Sequence, residues 1–117
     1  MQDLKISEMQ KMSMELWEKH KEKWSPMEPE YAHYSILYMI EELGEAIAII
    51  KKKGEEDIMN VPEIREHFIE EMGDVMMYYI DALNRFHVTP EEFASIYAKK
   101  FEYNMKRNYA KQYKDIK

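Results

Sequence analysis

Two short acidic words set inside apolar stripes constrain this chain more than any other feature: Glu41-Glu42-Leu43-Gly44-Glu45 and Glu70-Glu71-Met72-Gly73-Asp74. Each places carboxylates three or four residues apart, which on a helix means one face, a turn apart. Ile36, Met39, Ile40, Leu43, Ile47 and Ile50 make the main stripe around the first word, and Tyr38 and Ile49 flank Glu42 and Glu45 on the other side. The second lies among Ile64, Phe68, Met72, Val75, Tyr79, Ala82 and Leu83, and both sets recur at helical spacing. Two such words on two packed helices can surround one small volume with four carboxylates. They repel one another unless something positive sits among them. A hard divalent cation is the natural candidate, because Mg²⁺ takes oxygen ligands, usually together with substrate phosphates.

The pattern predicts four helices. The first starts at Ser7, with Ser7 and Gln10 as a capping box, and runs to Lys21 along Ile6, Met9, Met12, Leu16 and His20. His20, on that stripe, reads as a core residue rather than a ligand. A turn follows at Trp24-Ser25-Pro26-Met27-Glu28-Pro29, since each proline disfavours helix at the residue before it. The second helix spans Glu30 to Lys52 and stops before Gly54, a fitting C-terminal glycine. Gly44 within it costs about 1 kcal/mol relative to alanine, and close helix packing beside the acids would account for it. Lys51 to Asn60 reads as a polar connection. The third helix runs from Pro62 to Phe86, and its half Val75-Met76-Met77-Tyr78-Tyr79-Ile80 is apolar all round. A helix of that kind is covered on more than one side, and in a short chain a second subunit is the expected cover. The fourth begins at Thr89-Pro90-Glu91-Glu92, with an N-cap and proline at the first position. Residues 108–117 form a polar tail.

Short connections between four helices predict a single all-α domain, a four-helix antiparallel bundle assembled into a homodimer or homotetramer. The net charge of −6, with basic residues dispersed, argues against a nucleic-acid polymer as partner. The absence of cysteine excludes disulfides and thiolate metal sites. The longest nonpolar stretch, Val75 to Ile80, is far too short for a membrane span, and the first residues lack the apolar core of a signal peptide. A cytoplasmic protein without a membrane partner is expected.

Phe93, Ile96 and Tyr97 define an inward face on the fourth helix, and at helical spacing that face continues into Lys100, Asn104 and Arg107. Acids to hold a metal, and cations to hold what the metal holds, describe a phosphate-handling site. A bland alternative stands beside this one: acid pairs on helices are commonly solvated faces, and Lys100 and Arg107 can snorkel at a bundle end. A carboxylate-bridged iron site needs a Glu-x-x-His pair on each of two helices. Only Glu30 to His33 has that spacing, since His67 lies four residues after Glu63.

Glu41-Glu42-x-x-Glu45, then 25 residues (46–70), then Glu71-x-x-Asp74 resembles the signature of the all-α nucleoside triphosphate pyrophosphohydrolases, the MazG-like superfamily. That superfamily also includes dimeric dUTPases, dCTP pyrophosphatases and phosphoribosyl-ATP pyrophosphohydrolases. Lys100-x-x-Tyr103-Asn104-x-x-Arg107 is similar to the family's downstream Lys…Asn…Arg element. The resemblance covers about residues 30–107.

The resemblance implies Mg²⁺-dependent hydrolysis of a nucleoside triphosphate to the monophosphate and pyrophosphate, with Mn²⁺ as a possible substitute metal. By position it implies Glu42, Glu45, Glu71 and Asp74 as metal ligands, with Glu41 and Glu42 as the catalytic residues, Glu41 either supporting the ligands from behind or helping to orient water. It also implies Lys100, Asn104 and Arg107 as phosphate contacts, Tyr78 beside the nucleotide, and dimers or tetramers with sites at subunit interfaces. Trp17, Trp24 and Tyr34 are candidate base-stacking residues, each equally readable as core or interface. The residues leave open dUTP, dCTP or phosphoribosyl-ATP specialisation as against broad clearance of non-standard nucleotides. They also leave open a non-catalytic helical interaction module.

Overall fold

A computed structural model of the chain describes residues 1–108 and Ala110. The polar tail predicted over 108–117 lies, apart from Asn108 and Ala110, outside the described residues. Among the described residues there are four α-helices, α1 Ile6–His20, α2 Ala32–Asn60, α3 Pro62–Arg85 and α4 Pro90–Lys106, with a 3₁₀ turn at Pro29–Tyr31 ahead of α2. Among the described residues there is no strand, and no helix is long and apolar enough to cross a membrane.

The helix ends show which local signals the chain obeys. Thr89 caps α4 as expected, its hydroxyl oxygen accepting the Glu92 N–H at 3.1 Å. Lys5, not Ser7, precedes the first turn of α1, and the Glu8 carboxylate reaches back to the Lys5 N–H at 2.8 Å. The predicted Ser7–Gln10 capping box is absent because Gln10 is drawn inward. Its side-chain amide donates to Asn84 Oδ1 (3.1 Å) and to the Val88 carbonyl (2.8 Å), while the Asn84 amide donates to the Gln10 carbonyl (3.1 Å). Both residues are buried.

The stretch predicted as a polar connection is helical in large part. Hydrogen bonding carries α2 on to Asn60, but Gly54 breaks the helix geometry with φ 83° and ψ 161°. The glycine therefore acts as predicted, as a stop, and a short second helix follows it. That piece buries Ile58. The end of α3 is a Schellman motif: Val88 N–H donates to the Leu83 carbonyl at 3.0 Å and His87 N–H to the Asn84 carbonyl at 2.9 Å. His87 occupies the left-handed position of that motif, φ 58°, which glycine takes most readily.

Helices α2 and α3 form an antiparallel pair that carries most of the packing. Ser35 meets Asp81, Tyr38 meets Tyr78, and Glu42 lies at Glu71, so residue numbers rise along one helix as they fall along the other. One end of the pair is fixed by a buried ion pair. Arg85, 5 % exposed, donates from Nε to Asp81 Oδ2 at 2.7 Å, and from Nη1 to the Pro26 carbonyl at 2.6 Å and Ser25 Oγ at 3.2 Å. The Ser35 hydroxyl donates to the same Asp81 oxygen. Trp17 holds the same turn from α1, its indole N–H donating to the Ser25 carbonyl at 2.9 Å. His20 is half-buried and stacks on Trp24, ring centroids 4.7 Å apart.

Helix α4 corrects the sequence reading. Its start packs on α1 and, through Phe93 edge-on to Tyr79, on α3 (6.1 Å between centroids). Further along, Ile96 and Tyr97 are 62 % and 66 % exposed, so the face predicted to point inward does not do so within one chain. On α3, Ile80 is buried while Met76 and Met77 stay exposed. The Cα radius of gyration, 17.6 Å, exceeds the ~13 Å of a compact chain of this length.

Opposite backbone changes at two positions should have opposite effects. Gly54→Ala forces a side chain into a sparsely allowed conformation and should cost about 1–3 kcal/mol. His87→Gly relieves the left-handed site and should stabilise by about 1 kcal/mol. Urea denaturation monitored by helical circular dichroism measures both.

Candidate metal and nucleotide site

The two acidic words meet on the facing sides of α2 and α3. One carboxylate oxygen from each of Glu42, Glu45 and Glu71 lies within 4.8 Å of the others. The helical spacing explains how. Glu42 and Glu45 stand one turn apart on α2, and the antiparallel register sets Glu71 against them. Asp74 stands outside this triplet but near enough for its charge to act on Glu42 and Glu71. Glu41 is exposed.

The cluster is electrostatically unsatisfied. Glu42 Oε2 and Glu71 Oε2 are buried and have no hydrogen-bond partner. The Glu42 carboxyl is pushed up from 4.5 to about 7, first by burial, then by the adjacent Glu45 and Glu71 carboxyls, then by the charge of Asp74. Glu71 is raised too, chiefly by the adjacent Glu45 carboxyl and then by burial. Crowded carboxylates have two escapes: they hold protons among themselves, or they hold a cation. The donor set is all oxygen and two buried oxygens lack a donor, so the site suits a hard divalent ion.

Aromatic residues adjoin the acids. Tyr38 and Tyr78 pack with ring centroids 5.6 Å apart. The Tyr78 phenol is raised above its ordinary value by burial, then by the charges of Glu42 and Asp74, so it stays protonated at neutral pH and can donate. Gly44, next to Glu45, is not explained by close packing: a Cβ built there meets nothing within 4 Å, and the same holds for Gly73.

The other predicted residues lie elsewhere in the single chain. Lys100, Asn104 and Arg107 do gather on one side of α4, around Tyr103. Lys100 Nζ is 4.9 Å and the Arg107 guanidinium 5.8 Å from that ring centroid, and Arg107 donates to Asn104 Oδ1 at 3.4 Å. Among the described residues, however, α4 makes its packing contacts with α1 and, through Phe93, with α3. Trp17 and Trp24 sit at the turn held by Arg85, fourteen residues along α3 from Glu71, which is about 20 Å of helix. Tyr34 is half-exposed and stacks on His33 and Tyr31. One neighbour of the cluster was missed by the sequence reading: His67 Nε2 lies 3.4 Å from Glu71 Oε1. Its position four residues before Glu71 was the available signal.

Comparison with protein-family models, with curated proteins and with solved structures finds no match to this chain.

The Glu42 shift fixes a pH dependence in metal-free buffer. Between 4.5 and about 7 the folded chain keeps a proton that the unfolded chain has released. The contribution of Glu42 to stability is therefore fully present below 4.5 and is lost as pH rises through about 7. Glu42→Gln should flatten that part of the melting-temperature profile, and thermal melts across the range measure it.

Proposed function

We propose that this chain is a single-domain, Mg²⁺-dependent nucleoside triphosphate pyrophosphohydrolase of the all-α MazG-like kind, converting a (d)NTP to the (d)NMP and pyrophosphate. The observation that carries the reading is the convergence of Glu42, Glu45 and Glu71 with two buried oxygens left without a donor. Solvated acid faces do not strand carboxylate oxygens in this way.

On this reading Glu42, Glu45, Glu71 and Asp74 hold Mg²⁺, or Mn²⁺ in its place. The ion supplies positive charge to the triphosphate and to the departing pyrophosphate. The chain's own groups do the rest. A carboxylate of the Glu41–Glu42 pair takes the proton of the attacking water as its oxygen bonds to the α-phosphorus. The bond from that phosphorus to the bridging oxygen then breaks, releasing pyrophosphate. The protonated Tyr78 phenol offers a donor beside the nucleotide, and Tyr38 lies against it. Lys100, Asn104 and Arg107 bind phosphate oxygens.

Those three residues share a side of α4, a helix with exposed apolar residues at Ile96, Tyr97 and Phe101. Pairing of two copies through these surfaces, as a homodimer or a homotetramer, would carry the cations of one copy toward the acids of the other. The expanded radius and the exposed Met76 and Met77 favour such an assembly.

Purified protein incubated with Mg²⁺ and a panel of standard, deoxy and damaged nucleoside triphosphates should release monophosphate and pyrophosphate, resolved by chromatography. The ranking names the preferred nucleotide. Glu42→Gln and Asp74→Asn should each abolish turnover while helical circular dichroism stays unchanged. Full activity in either variant contradicts the ligand assignment. No turnover, with no Mg²⁺-dependent stabilisation, points to a non-catalytic interaction module.

A further inference from the structure

His67 is the nitrogen group that the described residues set against the acid cluster, and neither acidic word contains it. It lies on α3 one turn before Glu71, with Nε2 3.4 Å from Glu71 Oε1. The other Glu71 oxygen, Oε2, is buried without a partner. The two faces of one carboxylate thus have different surroundings: Oε1 looks toward an imidazole, and Oε2 is hidden from water. A carboxylate on a long side chain turns readily about its last bond. The side chain of Glu71 is only 15 % exposed, whereas that of His67 is 60 % exposed, so the imidazole approaches from the solvent side.

We propose that His67 is a positioning residue: with a proton on Nε2 it holds Glu71 Oε1 and so keeps Oε2 turned toward Glu42 and Glu45. This rests on reading the cluster as a divalent-cation site. An outer hydrogen-bond partner that fixes a ligand's orientation commonly accounts for ten- to a hundredfold in metal affinity. The contact at 3.4 Å is longer than a formed hydrogen bond, and drawing Glu71 onto a cation would let it tighten. His67 reaches the cation only through Glu71, so its loss should weaken binding without abolishing it. Loss of Glu71 removes a ligand outright.

The test is isothermal titration of the metal-free protein with MgCl₂ and separately with MnCl₂, without nucleotide, for the wild type and for His67→Ala, His67→Gln and Glu71→Gln. His67→Ala should weaken cation affinity about tenfold or more. His67→Gln, which keeps an N–H donor, should retain wild-type affinity. The exposed side chain predicts unchanged helicity and unchanged metal-free melting temperature in both His67 variants, and a merely structural role would lower that temperature instead. If His67→Ala binds as tightly as wild type while Glu71→Gln loses affinity, the positioning role is overturned and the cluster assignment stands. If His67→Gln is as weak as His67→Ala, the hydrogen-bonding role is overturned. If the wild type binds neither cation, the cluster assignment fails and the proposal fails with it.

Discussion

Three carboxylates brought together between two helices, two of them each with one oxygen hidden from water, set the terms for this structure. Their mutual repulsion has to be borne by the packing of α2 on α3. It has to be relieved by shared protons or by a cation. Glu42 records the strain directly, since burial comes first among the causes that push its carboxyl to about 7. A chain under pressure for stability alone would place such residues in solvent, where a carboxylate is hydrated and neighbouring charges are screened. Holding them between helices makes sense where something positive is to be held as well.

The remainder of the α2–α3 pair can be seen as the frame for that arrangement. At its other end Asp81 and Arg85 form a buried ion pair whose remaining donors are spent on Ser25 and Pro26, with Ser35 completing the Asp81 shell. Arg85 Nε and Nη1 and Asp81 Oδ2 are all paired there, in contrast to the stranded oxygens at Glu42 and Glu71. The Gln10–Asn84 exchange ties α1 to the same end. Polar contacts thus fix register and crossing at one end, while the unsatisfied carboxylates stand toward the other. A frame locked at one end by paired groups can tolerate charge crowding along its length.

Much of this was legible in the sequence. Thr89-Pro90-Glu91-Glu92 announced the start of α4, and its cap bond is formed. Gly54 announced a break, and takes positive φ. The two acidic words predicted a shared face, and three of their members converge. The misses have physical causes. Gln10 read as a cap because glutamine there fits a capping box, yet a buried amide partner on a distant helix outweighed the local bond. Arg85 and Asp81 were passed over because a buried ion pair looks, in sequence, like any i,i+4 surface pair. Residues 55–60 read as a loop on composition alone, although Ile58 has a buried seat. The inward face of α4 was inferred from periodicity. Periodicity shows that a face is apolar and does not identify what covers it, and among the described residues Ile96 and Tyr97 stay more than half exposed. Trp17 was readable as either base platform or core, and its indole bond to Ser25 gives it a structural task at the turn.

The account stands on the claim that a cation replaces protons within the carboxylate cluster. The most direct measurement is proton release when MnCl₂ or MgCl₂ is added to weakly buffered, metal-free protein at pH 7, followed with a pH indicator. Burial and the neighbouring carboxyls push Glu42 up to about 7, and cation binding to carboxylates requires them ionised. The account predicts saturable proton release that disappears in Glu42→Gln. Cation addition without any release in the wild type, or release that persists undiminished in Glu42→Gln, would contradict it.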